Sequence, residues 1–154
     1  MTVPPRRLFL ALGVVFLPSF GRAQAIDAPV TARQVSLLGV VATPGDLTTD
    51  PRLNSVAPQL RKLFPNNGFR LLDVRTKRLA PGQTVTCTLQ SGYTASTTLV
   101  QPADENGKVQ LVCSVSLNKS PQLETRVSTP PNQLFFCEKL LPSGQRLLLG
   151  VGAR

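Results

Sequence analysis

The sequence contains no histidine, and this absence excludes several kinds of chemistry. Without histidine there is no Ser-His-Asp or Cys-His nucleophile, no imidazole metal ligand and no side chain that ordinarily titrates near neutral pH. Tryptophan is also absent and Tyr93 is the only tyrosine, so the aromatic platforms usual in sugar-binding clefts are missing. The acidic residues show no pairing of the kind that glycosidases use. We therefore predict no catalytic, metal-binding or cofactor-binding residues.

Cysteine is scarce, with one residue in each of three predicted strands: Cys87, Cys113 and Cys137. No C-x-x-C motif is present, which argues against zinc and thioredoxin-like redox sites. Two interpretations stay open. One is a disulfide between Cys87 and Cys113 with Cys137 free, and the other is three reduced core residues. A cysteine nucleophile activated by Lys or Arg is a more distant third.

Long apolar runs are missing, and the longest one covers only residues 8–17. This run follows a short basic segment and is followed by the small residues Ala23 and Ala25 around Gln24. These are the three parts of a cleavable signal peptide. We predict a signal peptide over residues 1–25, cleavage near Ala25, and a mature protein that is periplasmic or secreted, with no span left after cleavage.

The basic segment also carries a specific pattern, Arg6-Arg7-Leu8-Phe9-Leu10. It resembles the twin-arginine export signal, although Pro5 and Ala11 replace the residues usual at those positions. The resemblance covers only the leader and implies a bacterial protein that is exported already folded.

Acidic residues are few: eight of them face 17 lysines and arginines, which gives a formal net charge of +9. The excess is concentrated in residues 52–78, which we call the basic stretch and which contain Asp73 as their only acid. Such a stretch is a candidate site for an anionic polymer or lipid headgroup, or a solvated surface that keeps the protein soluble. No nucleic-acid motif is visible. The candidate anion-binding residues are Arg52, Arg61, Lys62, Arg70, Arg75, Lys77 and Arg78.

Alternating apolar residues between Pro, Gly and Asn turns predict mainly β-structure after a flexible lead-in over residues 26–34. Residues 35–42 are apolar on both faces, as in a strand that is covered on each side. The predicted strands are 35–42, 69–76, 84–90, 94–100, 108–117, 122–127, 133–140 and 145–151.

One helix is predicted over about residues 51–64, with Asp50 as its cap. Pro58 interrupts the pattern, so the helix either bends there or restarts at that residue. The resulting fold is a single α+β domain over residues 35–154. A strand–helix–strand unit, with a right-handed crossover if its strands are parallel, leads into an antiparallel meander of about six strands. The alternative is a β-sandwich or partly closed barrel with one helix on its rim.

Three functional hypotheses follow from these features. The first is an exported, non-enzymatic module of the cell envelope or extracellular space that acts through protein contacts, with edge strands available to a partner strand. The second is a binder of anionic polymer or lipid headgroups through the basic stretch. The third is a hydrolase or thiol redox protein of an atypical, histidine-free kind. None of them fixes an oligomeric state.

Overall fold

A computed structural model describes residues 30–154, which contain eight strands and one α-helix. The predicted signal peptide, its cleavage site at Ala25 and most of the lead-in lie outside the described residues. The last two residues of that lead-in, Arg33 and Gln34, belong to the first strand. The elements in chain order are β1 (Arg33–Pro44), a 3-10 turn (Pro51–Leu53), α1 (Ala57–Leu63), β2 (Asn67–Leu79), β3 (Thr84–Thr88), β4 (Tyr93–Gln101), β5 (Val109–Leu117), β6 (Ser120–Thr129), β7 (Leu134–Leu140) and β8 (Arg146–Ala153).

The strands form two four-stranded antiparallel sheets that do not close into a barrel. The first sheet has the order β2-β1-β8-β7 and the second the order β3-β4-β5-β6. The prediction of a β-rich chain with antiparallel sheets and one helix is therefore confirmed in its broad form. The strands before and after the helix are antiparallel neighbours, so the conditional expectation of a parallel crossover is wrong.

The antiparallel meander comprises four strands, β3 to β6, because β7 and β8 leave it and return to the first sheet. There β8 lies between β1 and β7 and pairs with both. The return is possible because β8 is apolar along nearly its whole length, and seven of its eight residues are buried. Such a strand fits only a position that is covered on both faces.

Strand β1 is also covered on both faces, as its sequence predicted. One face packs against the second sheet and the opposite face packs against the helical segment. The core between the sheets includes Leu37, Leu111 and Leu149, all almost fully buried. Gly39 lies on this same face, where an added Cβ would overlap the side chain of Leu89. The glycine therefore lets the two sheets approach closely at that point.

The smaller core lies between the helical segment and the outer face of the first sheet. Leu53 and Leu60 reach down onto Val40 and Leu148. Pro58 is the second residue of α1, so the chain forms a separate 3-10 turn and then a short helix instead of one helix over residues 51–64. A proline in the first turn costs no backbone hydrogen bond, which explains the restart. The predicted cap is confirmed, since the Asp50 carboxylate accepts a hydrogen bond from the N–H of Arg52.

No helix within residues 30–154 is long and apolar enough to cross a membrane.

Candidate interaction edge and cysteine pair

The seven basic residues singled out from the sequence lie on three different elements. Arg52 follows the capping residue of the 3-10 turn, and Arg61 and Lys62 occupy the last turn of α1. The other four project from β2, which is an edge strand of the first sheet. The four basic residues on β2 are Arg70, Arg75, Lys77 and Arg78.

A β-bulge decides which face each basic side chain of β2 occupies. The pairing of β2 with β1 shifts by one residue between Asp73 and Leu71, opposite Gly39 and Val40. Because of this extra residue, Arg70 lies on the same face as Arg75 although the two are an odd number of positions apart. That face is turned toward the second sheet, and Lys77 shares it. Arg78 points to the opposite face.

Several of these cations already have partners within the protein. Arg52 forms an ion pair with Asp50 at 2.6 Å, and Arg75 forms one with Asp73 at 3.2 Å. Arg70 donates a hydrogen bond of 2.9 Å to the side chain of Gln90. Within residues 30–154 the remaining members of the set have no carboxylate partner. These are Arg61, Lys62, Lys77 and Arg78, all exposed. Binding of an anion by the basic stretch stays a prediction.

Each sheet of an open sandwich has two edge strands whose unpaired backbone groups can bind another strand. The β2 edge is interrupted by its bulge and by its exposed arginines and lysine. The β3 edge is partly capped, since the Asp73 carboxylate accepts a hydrogen bond of 3.1 Å from the N–H of Thr88. The β6 edge contains Pro121 and an unpaired Gln122 at a second register shift. Bulges, prolines and charges of this kind discourage strand addition.

Strand β7 carries the charged residues Glu138 and Lys139, but it is the edge strand that exposes the most large apolar side chains. It contains no proline, and its pairing with β8 runs without a register shift from Leu134 to Leu140. Two of its apolar side chains are conspicuously exposed, Phe135 at 45% and Leu140 at 63%. Its one exposed acid, Glu138, is paired with Arg146 of β8 at 2.7 Å. We call the open side of this strand the β7 edge.

The hydrogen-bond register shows which backbone groups face outward at the β7 edge. The ladder to β8 starts where the N–H of Leu141 donates to the carbonyl of Gln145. Bonded and non-bonded pairs alternate in an antiparallel ladder, so Leu134, Phe136, Glu138 and Leu140 direct their N–H and C=O groups away from β8. The carbonyl of Leu134 accepts a hydrogen bond from Gln59 of α1 at 3.2 Å. Within residues 30–154 the outward groups of Phe136, Glu138 and Leu140 have no hydrogen-bond partner.

The three cysteines carry no disulfide in the described part of the chain. Cys87 and Cys113, the pair favoured from the sequence, belong to β3 and β5, which are separated by β4. Two strand spacings place their Cα atoms about 10 Å or more apart, beyond the roughly 7 Å that a disulfide spans. A bond between them would require the backbone to move.

Cys113 and Cys137 lie in different sheets and pack against the same core. Cys113 is fully buried between the sheets, and Cys137 packs against the same core from the first sheet. The sulfur of Cys113 accepts a hydrogen bond of 3.7 Å from the Thr97 hydroxyl, and the thiol of Cys137 donates one of 3.7 Å to the carbonyl of Leu149. The third thiol is different, because burial raises the pKa of Cys87 to about 11. Cys87 therefore stays protonated and unreactive at neutral pH.

Several carboxylates of the described residues serve local structure. Hydrogen bonds lower the pKa of three of them. Asp50 accepts one from the Arg52 side chain, Asp46 accepts one from the Thr48 backbone, and Asp104 accepts one from the Lys108 backbone. Asp104 thereby closes the turn between β4 and β5. Within residues 30–154 no three Cys, Asp or Glu side chains are grouped so that they could hold a metal ion.

No protein-family model, curated protein or solved structure matches the chain. The functional argument therefore depends on the geometry of the β7 edge and of the basic stretch. Sequence reasoning considered edge strands in general but did not single out residues 134–140. A usable signal for the edge was present, since residues 133–140 form the predicted strand with two adjacent phenylalanines and no proline.

Proposed function

We propose that the chain is an exported, non-enzymatic module of the cell envelope or extracellular space that binds a protein partner through the β7 edge. Export is inferred from the leader over residues 1–25, and the non-enzymatic character from the lack of histidine and of any catalytic motif in the sequence. The observation that carries the binding proposal is the outward backbone of Phe136, Glu138 and Leu140 beside the exposed side chains of Phe135 and Leu140.

The chemistry of this edge specifies the kind of partner. An extended segment laid along β7 would bond to its outward N–H and C=O groups and extend the first sheet by one strand. Phe135 lies on the face turned toward the second sheet, because its partner Val151 belongs to the core between the sheets. Leu140 lies on the opposite face. A matching segment therefore needs apolar side chains on both faces, spaced to meet these two residues.

Glu138→Pro tests this proposal and has a matched control. Proline at this position removes an N–H that faces outward, while the ladder bonds to β8 belong to the neighbouring residues. The substitution also removes the ion pair to Arg146, which Glu138→Ala removes equally while it keeps the N–H. We expect a partner that cross-links to the wild-type chain in a native envelope extract to be retained by Glu138→Ala and lost from Glu138→Pro.

The comparison requires both variants to be folded, which their circular dichroism and thermal melting would establish. Retention of the same partner by a folded Glu138→Pro variant would refute binding at the β7 edge. Loss of the partner from Glu138→Ala as well would assign the effect to the ion pair rather than to the backbone.

The second candidate is binding of an anionic polymer through the basic stretch. It is favoured by the exposed cations that lack a carboxylate partner within residues 30–154, two of them on α1 and two on β2. Heparin, a sulfated polysaccharide, is a suitable probe. Retention on heparin should fall steeply with ionic strength, and reversing the charges of Arg61, Lys62, Lys77 and Arg78 together should abolish it. Retention that is insensitive to both changes would eliminate this candidate, and Glu138→Pro should leave it unaffected.

A further inference from the structure

One edge of each sheet lies on the same flank of the protein, where β2 runs beside β3. The chain reverses between these strands, with the N–H of Gln83 donating to the carbonyl of Ala80, so the two strands run in opposite directions. They belong to different sheets and do not pair with each other. We call this flank, formed by residues 73–78 and 84–88, the β2–β3 seam. A cleft of about 420 Å³ opens into it between residues 75–77 and 84–86.

The register of β3 shows which of its backbone groups face the open side of the seam. Directly after β3, the N–H of Leu89 donates to the carbonyl of Tyr93 at the start of β4. Bonded and non-bonded pairs alternate from there along the ladder. The residues of β3 that direct their N–H groups away from β4 are therefore Thr84, Thr86 and Thr88.

The register of β2 follows from the opposite side of β1. Gln34 of β1 exchanges both backbone hydrogen bonds with Arg154 beyond β8, so the alternate residues of β1 are those that bond to β2. The residues of β2 that direct their N–H groups away from β1 are therefore Val74, Thr76 and Arg78.

A carboxylate of the protein itself shows how an anion is bound in this seam. Asp73 accepts a hydrogen bond of 2.9 Å from the N–H of Val74 on β2 and one of 3.1 Å from the N–H of Thr88 on β3. The Nε of Arg75 donates a third hydrogen bond to it at 3.2 Å. One negatively charged group is thus bound by a backbone N–H from each sheet and by one cation.

The same arrangement of backbone donors recurs two residues further along the seam. Because the strands run in opposite directions, Thr76 and Thr86 are related to each other as Val74 and Thr88 are. Thr76 and Thr86 both line the cleft, and both are exposed. Within the part of the chain that the structure describes, their N–H groups have no acceptor.

The side chains at this second position are cations instead of an acid. Arg75 stands where Asp73 stands at the first position, and Lys77 stands where Arg75 does, two residues along the same strand face. Arg75 uses only its Nε in the bond to Asp73, and among residues 30–154 its two terminal nitrogens have no partner. The second position therefore has several donors and a positive charge, but it has no acceptor of its own.

We propose that the β2–β3 seam binds a tetrahedral oxyanion, a phosphate or sulfate group, between the N–H groups of Thr76 and Thr86. Arg75 and Lys77 supply the opposite charge from the same cleft. A tetrahedral group presents enough oxygen atoms to meet both strands, the planar guanidinium and the ammonium together. The inference deepens the second candidate function and rests on it for the source of the anion, since an open cleft admits a group that is carried on a polymer.

Titration with inorganic phosphate at low ionic strength, followed by amide NMR of the isotope-labelled chain, tests the proposal. We expect saturable shifts of the N–H signals of Thr76 and Thr86. The signals of Val74 and Thr88 should stay in place, because Asp73 already occupies those donors. Shifts that spread over the exposed lysines and arginines without saturation would show binding by net charge alone and would overturn the proposal.

Two pairs of variants separate the backbone donor from the charge. Thr86→Pro removes an outward N–H at an edge where proline interrupts no ladder bond, and Thr86→Ala is the matched control that keeps it. We expect phosphate affinity to fall about tenfold in Thr86→Pro relative to Thr86→Ala. Lys77→Gln should also weaken binding, whereas Lys62→Gln, the same change on α1, should leave it unchanged. Equal affinities within either pair of folded variants would overturn the proposal.

Heparin distinguishes failure of the seam site from failure of the second candidate function. Retention on heparin without shifts at Thr76 and Thr86 would overturn the seam site and leave the polymer to the cations of α1. Saturable phosphate binding at the seam without retention on heparin would support the seam site, as a site for a free anion, and would eliminate the polymer.

Discussion

Replacing Leu60 with alanine should detach helix α1 from the first sheet. Leu60 is completely buried and belongs to the small core that the helical segment forms on the outer face of that sheet. The helix has seven residues, too few to be stable without tertiary contacts. Its position therefore depends on Leu60 and on the neighbouring buried residues Leu53 and Ala57.

The size of the effect follows from the burial of this side chain. Truncation of a fully buried leucine costs about 3 kcal/mol of unfolding free energy, from lost transfer energy and from the cavity that remains. For a domain of this size, such a loss lowers the Tm by about 10 °C. Leu63 lies in the same helix but is half exposed, at 51%. Leu63→Ala should therefore change the unfolding free energy by well under about 1 kcal/mol.

The assay is urea unfolding followed by far-ultraviolet circular dichroism, because the chain has no tryptophan to report on folding. Both variants exchange leucine for alanine in one helix, so helix propensity cancels and the difference measures burial alone. Equal destabilisation by the two substitutions would refute the described packing of α1 on the sheet.

Two further outcomes are expected from single residues. Gly150→Ala should lower the unfolding free energy by about 1–3 kcal/mol in urea titrations, because the added Cβ would lie 2.7 Å from the ring of Phe136; an unchanged midpoint would contradict the close packing of that ring. Asp50 is held ionised below its usual pKa by Arg52, so its contribution to stability is present above about pH 4 and is lost as the pH falls toward the folded-state pKa. Between about pH 6 and about pH 2.5, a range that brackets the unfolded-state pKa by about one to two units, the urea midpoint of Asp50→Asn should therefore fall less steeply than that of the wild type. Parallel curves would contradict this role.

The positions of the elements were predictable because local patterns determine them. Each predicted strand overlaps an observed strand, since alternation of apolar and polar residues and the intervening Pro, Gly and Asn turns act over a few residues. The cap at Asp50 and the restart of the helix around Pro58 also depend on interactions within a few residues of the chain. These features could be read from the sequence because they do not depend on which strands become neighbours.

The pairing of the strands was not predictable on the same basis. Nothing in residues 145–151 specifies that β8 lies beside β1, which is distant in the chain. The preference for Cys87 with Cys113 rested on the apolar faces of their strands, which β4 separates in the second sheet. The face occupied by each basic residue of β2 depends on one bulge, and a single inserted residue reverses every side chain beyond it.

The candidate site was also predictable only in part. The sequence identified every basic residue of the basic stretch, but their division among α1 and the two faces of β2 required the register. The importance of residues 134–140 became visible only when β7 proved to be an edge strand and the register showed that Phe136, Glu138 and Leu140 face outward.

The position of β8 has a consequence for the order in which the protein can fold during its synthesis. The first and last strands are hydrogen-bonded to each other, down to the reciprocal bonds between Gln34 and Arg154. The four strands of the second sheet can pair as the ribosome releases them, whereas β1 must wait with one side unpaired until the final strand emerges. Completion of the first sheet therefore has to wait for β8, and such long-range closure is intrinsically slow. A nascent chain held at the ribosome exit before β8 is released would expose the apolar strand β1. During this interval β1 is the segment that a chaperone would bind.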